Sequence, residues 1–141
     1  MGPNDPGLGD KAGPPRWRVP AAIAVGGMAG ALARYGLGVA FPSAAGGFPW
    51  TTFAINVLGC LLIGALMVVV TERPGVHPLT RPLLGVGVLG GFTTFSTYVV
   101  EAHRLIASGA VVVALVYLVA TVLTAVTAVL VGIRLAQAVL R

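Results

Sequence analysis

Apolar residues run in four long blocks, Pro20 to Phe41, Trp50 to Val70, Pro82 to His103 and Val111 to Val139, separated by short breaks rich in proline and glycine. A helix needs about 20 mainly apolar residues to cross the hydrocarbon core of a bilayer. The pattern therefore predicts an all-α integral membrane protein with four transmembrane helices. The first break, Phe41 to Pro49, carries Pro42, Gly46, Gly47 and Pro49 without a charge and predicts a tight hairpin turn. The second, Thr71 to Arg81, includes Glu72, Arg73 and His77 and predicts a solvated turn. Residues 1–19 read as a disordered tail, proline- and glycine-rich without apolar periodicity, which leaves 20–141 as one membrane domain.

Polar and small residues inside the blocks recur at helical spacing. In the first span Gly26, Gly30 and Arg34 are four apart and share a face that lets two backbones approach closely. Arg34 either snorkels to the interface or acts as a cation that holds a buried network or draws anions into a vestibule. The second span repeats Thr52, Asn56, Cys60 and Gly64 every four residues, with Gly59 beside them. Asn56 bonds a neighbouring helix or offers its N–H donors to a passing anion. On the fourth span Tyr117, Thr121 and Thr124 form one stripe, read as a lined path or as threonines bonded back to their own helix.

The third span departs furthest from ordinary membrane helix. It holds Gly85, Gly87, Gly90 and Gly91, and from Gly90 to Tyr98 reads G-G-F-T-T-F-S-T-Y. Glycine costs about 1 kcal/mol per residue in a helix relative to alanine, and irregular backbone at membrane depth persists only where protein or a water-filled cavity surrounds it. The run predicts a helix broken near its middle, whose carbonyls around Gly90 to Thr93 become oxygen ligands for a hard cation. Beyond the break Thr93, Thr97 and Glu101 share one face, and Phe95 and Tyr98 stack on a neighbouring one. Glu101 is either an interfacial residue or the partner of a buried arginine.

Composition agrees: 57% of residues are hydrophobic and 9% charged, with a mean hydropathy of +0.95. The net charge of +5 forms no basic run, so it points to a membrane and not to nucleic acid. Lys11, Arg16, Arg18, Arg73, Arg81, Arg134 and Arg141 fall on the side of the termini and the second loop, and only Arg104 on the other. Because cytoplasmic loops collect Lys and Arg, both termini are expected in the cytoplasm of a multi-pass plasma (inner) membrane protein. Trp17, between Arg16 and Arg18, suits the first interface.

No carboxylate pair, metal-ligand cluster, nucleophile–base pair or phosphate loop lies inside the spans, so no enzyme is expected. The lining on offer is amide, hydroxyl and aromatic ring edge, the last carrying the positive part of the ring quadrupole. That lining suits passive conduction of a small anion that accepts hydrogen bonds strongly.

The motifs G-G-M-A-G-A-L-A-R-Y, T-T-F-A-I-N-V-L-G and G-G-F-T-T-F-S-T-Y-V-V-E, in that order on four short helices, resemble the Fluc (CrcB) family of bacterial fluoride channels over nearly all of Pro20 to Ile133. The resemblance implies passive export of fluoride, lowering its toxicity, through an antiparallel dimer with two pores and a structural sodium ion on the dimer axis. It implies that carbonyls of Gly90 and Thr93 from each chain bind the sodium. It further implies that Phe95 and Tyr98 meet fluoride by their ring edges and that Asn56 donates to it. Ser96 and Thr97 follow as polar neighbours, Tyr117, Thr121 and Thr124 as the polar track, and Arg34 at the vestibule. Tyr98 departs from the family's usual phenylalanine. The one-sided arginines also depart from a chain that inserts both ways, so the expected partner is a second copy or an oppositely oriented homologue. The alternatives are a small proton-coupled multidrug exporter, which needs a carboxylate that the first span lacks, and a non-conducting structural subunit.

Overall fold

The computed structural model describes residues 15–140; the tail before Pro15, with Lys11, and Arg141 at the other end lie outside the described residues. Within them the chain forms α1 (Arg18–Ala40), α2 (Trp50–Glu72), a π-helical segment (Arg81–Leu89), α3 (Gly90–Phe92), α4 (Phe95–Ala107) and α5 (Val111–Leu140). The third apolar block, Arg81–Ala107, comprises the π segment, α3 and α4, and with α1, α2 and α5 makes four stretches long and apolar enough to cross a membrane. Helix α1 begins earlier than the tail assigned up to residue 19, because Pro20 sits in its first turn, where the missing N–H is not needed. Trp17 stays exposed just before it, with the Arg18 guanidinium 5.9 Å from its ring centroid.

The helices pair off through glycine. Helix α1 lies on the π segment and α3, whereas α2 lies along α5 and α4 against α5. A Cβ on Gly26 or Gly30 would collide with backbone atoms of Leu83, Val88 or Phe92, and one on Gly91 with Gly27. On the other pair, a Cβ on Gly64 would meet Val129 and one on Gly132 would meet Leu61. Lipid tails are as apolar as leucine, so such close backbone packing is what holds spans together. The π segment was not expected from the sequence. Its wide turns follow Pro82, which lacks an N–H, and bring Gly87 against Gly26.

Two turns close the hairpins at the end away from the described N-terminus. Gly46 in the first has φ 72°, a left-handed backbone that glycine adopts without Cβ strain. Gly109, at φ 83°, ends α4. Its N–H donates to the Ile106 carbonyl at 3.0 Å and that of Ala110 to Leu105 at 2.9 Å, the paired bonds of a Schellman cap. A small core of Tyr98, Ala102, Leu105, Ala114 and Tyr117 fills the space between α4 and α5. Most large apolar side chains elsewhere face outward, as lipid or a second chain requires.

Candidate functional site

The helix breaks at Thr93 and Thr94, three residues beyond the first glycine of the run. Thr93 (φ −74°, ψ 158°) and Thr94 (φ −149°, ψ 123°) are extended, whereas Gly90 remains helical. The side chain of Asn56 on α2 makes the break possible. Its Oδ1 accepts from the Thr94 N–H at 2.8 Å and its Nδ2 donates to the Thr94 carbonyl at 3.0 Å, so the unwound residue keeps both backbone partners at membrane depth. Gly59, one turn along α2, leaves room for Thr93, because a Cβ there would run into the Thr93 methyl.

The diversion reassigns the surrounding carbonyls. In a continuous helix the Thr94 N–H would bond Gly90 and that of Thr97 would bond Thr93. Thr94 bonds Asn56 instead, and the Thr97 N–H is capped by Thr94 Oγ1 at 3.1 Å. The Gly90 and Thr93 carbonyls thus lose their helical donors. The Gly91 carbonyl receives Arg34 Nε at 3.1 Å, so Arg34, half-buried on α1, does not snorkel but braces the break from the opposite side. Thr94 caps α4, and its hydroxyl also donates to Thr97 Oγ1 at 3.0 Å and lies 3.3 Å from Ser96 Oγ.

Two clefts meet at Thr94. One, of about 580 Å³, is walled by Arg34, Thr52, Thr97, Glu101 and Arg104 among others. The other, of about 200 Å³, brings together Asn56, Phe95, Tyr98 and Thr121, with Cys60 at its edge. Phe95 and Tyr98 have ring centroids 5.7 Å apart and planes tilted by 44°, but they differ in exposure: Phe95 is 77% exposed and Tyr98 only 7%. The Tyr98 hydroxyl donates to the Leu118 carbonyl on α5 at 2.8 Å.

Glu101 pairs with hydroxyls and not with a buried arginine. Thr52 Oγ1 donates to its Oε1 and the Tyr117 hydroxyl to its Oε2, both at 2.9 Å. Tyr117 is wholly buried, 5.1 Å centroid to centroid from Tyr98 and 5.3 Å from Phe48 of the first loop. Thr121 donates to the Tyr117 carbonyl at 2.7 Å and Thr124 to that of Ala120 at 2.6 Å. Each spends its only hydroxyl proton on its own helix, and Ser96 stays on the exposed side of α4.

Three participants have only a weak signal in the sequence. Thr52 reads from the sequence only as a member of the α2 stripe, whereas in the structure its hydroxyl donates to Glu101. Thr94 reads from the sequence only as part of the run from Gly90 to Tyr98, whereas it caps α4; a threonine just before a helix start is the signal that points to it. Arg104 reads from the sequence only as the arginine on the far side from the termini, whereas the structure puts it in the wall of the larger cleft.

A discontinuous helix held at mid-depth by an amide from one neighbour and a guanidinium from another defines a small polytopic membrane protein with an interior polar site. The family described as "CrcB-like protein, Camphor Resistance (CrcB)" matches residues 21–133. The chain belongs to this CrcB-like family. It is 51% identical over 129 residues to "Fluoride-specific ion channel FluC 1" of Streptomyces coelicolor, a match covering 89% of this chain and 84% of that protein. It is 54% identical over 111 residues to "Fluoride-specific ion channel FluC 2" of Nocardia farcinica, 79% of each chain. To "Fluoride-specific ion channel FluC" of Saccharophagus degradans it is 42% identical over 116 residues, 82% of this chain and 87% of the other.

Proposed function

We propose that this protein is a fluoride channel of the plasma membrane that lets the anion leave the cytoplasm down its gradient, without an energy source. The observation that carries the reading is the cleft where Asn56, Phe95, Tyr98 and Thr121 converge on the helix break, within a family whose named relatives are fluoride-specific ion channels. An amide NH₂ has two donors. One holds the Thr94 carbonyl, and the second is left for an ion beside the rings, whose edges carry positive potential. A small, strongly accepting anion gains most from such a lining.

The assembly in this reading is an antiparallel dimer of this chain with a second copy or an oppositely oriented homologue, its own termini cytoplasmic. The exposed ring of Phe95 suits a site completed across that interface. The Gly90 and Thr93 carbonyls, hard oxygens withdrawn from the helical ladder, fit a sodium ion on the dimer axis, two from each chain. Bound there, the ion would supply a fixed positive charge between the two pathways. Liposomes containing the purified protein test the function: fluoride efflux without chloride efflux is expected, and none with the chain alone or with a partner chain would leave a structural subunit.

A further inference from the structure

We infer that Arg104, beside Arg34, is an anion-collecting residue at the mouth of the pathway formed by the first loop and the end of α4. The inference rests on the proposed passage of fluoride. Arg104 lines the 580 Å³ cleft together with Arg34, although the two sit on different helices. It also lines a second cleft, of about 310 Å³, between the turn Ser43–Gly47 and the end of α4. These two clefts share Ser43, Glu101 and Arg104 in their walls. Arg104 therefore stands where the loop side opens towards the helix break.

The charges around it determine what the mouth attracts. Glu101 lies one turn away, where it would neutralise Arg104 if it faced it. Its two oxygens are instead occupied by the hydroxyls of Thr52 and Tyr117. Arg34 places its Nε on the Gly91 carbonyl and itself lines the cleft. Two cations face one acid that is held by other donors, and clefts with low-dielectric walls focus such a field and raise the local concentration of the opposite charge. An interfacial anchor alone would not require Arg104 to border both clefts.

The test is fluoride efflux from liposomes at sub-saturating fluoride, comparing wild type with Arg104→Gln and Arg104→Lys. At an ionic strength of about 10 mM, where the Debye length is about 30 Å, Arg104→Gln is expected to slow efflux by about two- to fivefold and Arg104→Lys to restore most of it. At about 1 M, where the length falls to about 3 Å, the three rates should converge. Conducting wild type with an Arg104→Gln rate unchanged at low salt overturns the inference and leaves Arg104 an interfacial residue. A deficit of the same size at every ionic strength also overturns it, since that marks a structural defect. A wild type without fluoride flux, both alone and with a partner chain, would instead overturn the channel reading itself.

Discussion

Asn56 holds Thr94 by both of its backbone groups, accepting from the N–H at 2.8 Å and donating to the carbonyl at 3.0 Å. One side chain thereby does at membrane depth what a strand partner does in a sheet, and it does so beside the cleft in which an anion would pass.

Asn56→Asp separates these duties. The carboxylate can still accept from Thr94 but cannot donate to its carbonyl, and it places negative charge in the path. Fluoride flux is expected to disappear while the protein still elutes as an assembled species. Asn56→Leu strands both Thr94 groups and is expected to destabilise by about 2–4 kcal/mol, read as a lower thermal midpoint in detergent. Unchanged flux in Asn56→Asp would remove this residue from the pore.

The glycines of α1 divide into two sets. Gly30→Ala drives a methyl into the Val88 carbonyl, whereas Gly36 and Gly38 face open space. The first is expected to cost about 1–3 kcal/mol through overpacking and the Gly36→Ala exchange to be neutral or mildly stabilising. Thermal unfolding of the two variants checks this, and equal losses would contradict the close packing of α1 on the π segment.

Tyr98 spends its hydroxyl proton on Leu118, so towards an ion it presents a ring edge, as phenylalanine would. Tyr98→Phe should lower stability by about 0.5–1.5 kcal/mol yet keep fluoride flux within roughly twofold, since about 0.4 kcal/mol of barrier is the most that allows. Loss of flux would mean that the hydroxyl itself serves the ion.

Tyr117 and Glu101 should behave as a coupled pair. Tyr117→Phe leaves Glu101 Oε2 without its donor and is expected to cost about 1–3 kcal/mol. The same change in a Glu101→Gln background should cost less, and a double-mutant cycle of unfolding midpoints measures the difference. Strict additivity would show that the bond contributes nothing.

The arginine asymmetry predicts one orientation for this chain. Reporters fused to the C-terminus should signal from the cytoplasmic side only, as a partner of opposite orientation requires. Equal signal from both sides would favour a homodimer.

The four spans were legible because lipid imposes both their length and their apolarity, and the broken third span because glycine and hydroxyl residues have no other reason to gather at that depth. The position of the break was less so. It falls at Thr93–Thr94 because Asn56, 38 residues earlier in the chain, captures Thr94, and no local pattern encodes a capture across helices. The π segment was hidden as well: it brings Gly87 against Gly26 of α1, and no local pattern encodes that approach. For Glu101 the sequence offered an interface or an arginine. The structure supplied hydroxyls, because Thr52 and Tyr117 reach it from α2 and α5 while Arg34 is engaged by a carbonyl.

Glycine packing has a mechanical corollary. Helix α1 and the first half of the third span touch backbone to backbone at Gly26, Gly30, Gly87 and Gly91, and α4 rides on α5, which is itself clasped by α2 through Gly64 and Gly132. The third span is thus two levers with a single joint at Thr93–Thr94. Asn56 pins that joint from one lever's scaffold and Arg34 from the other's, so bending it means breaking the bonds on at least one side.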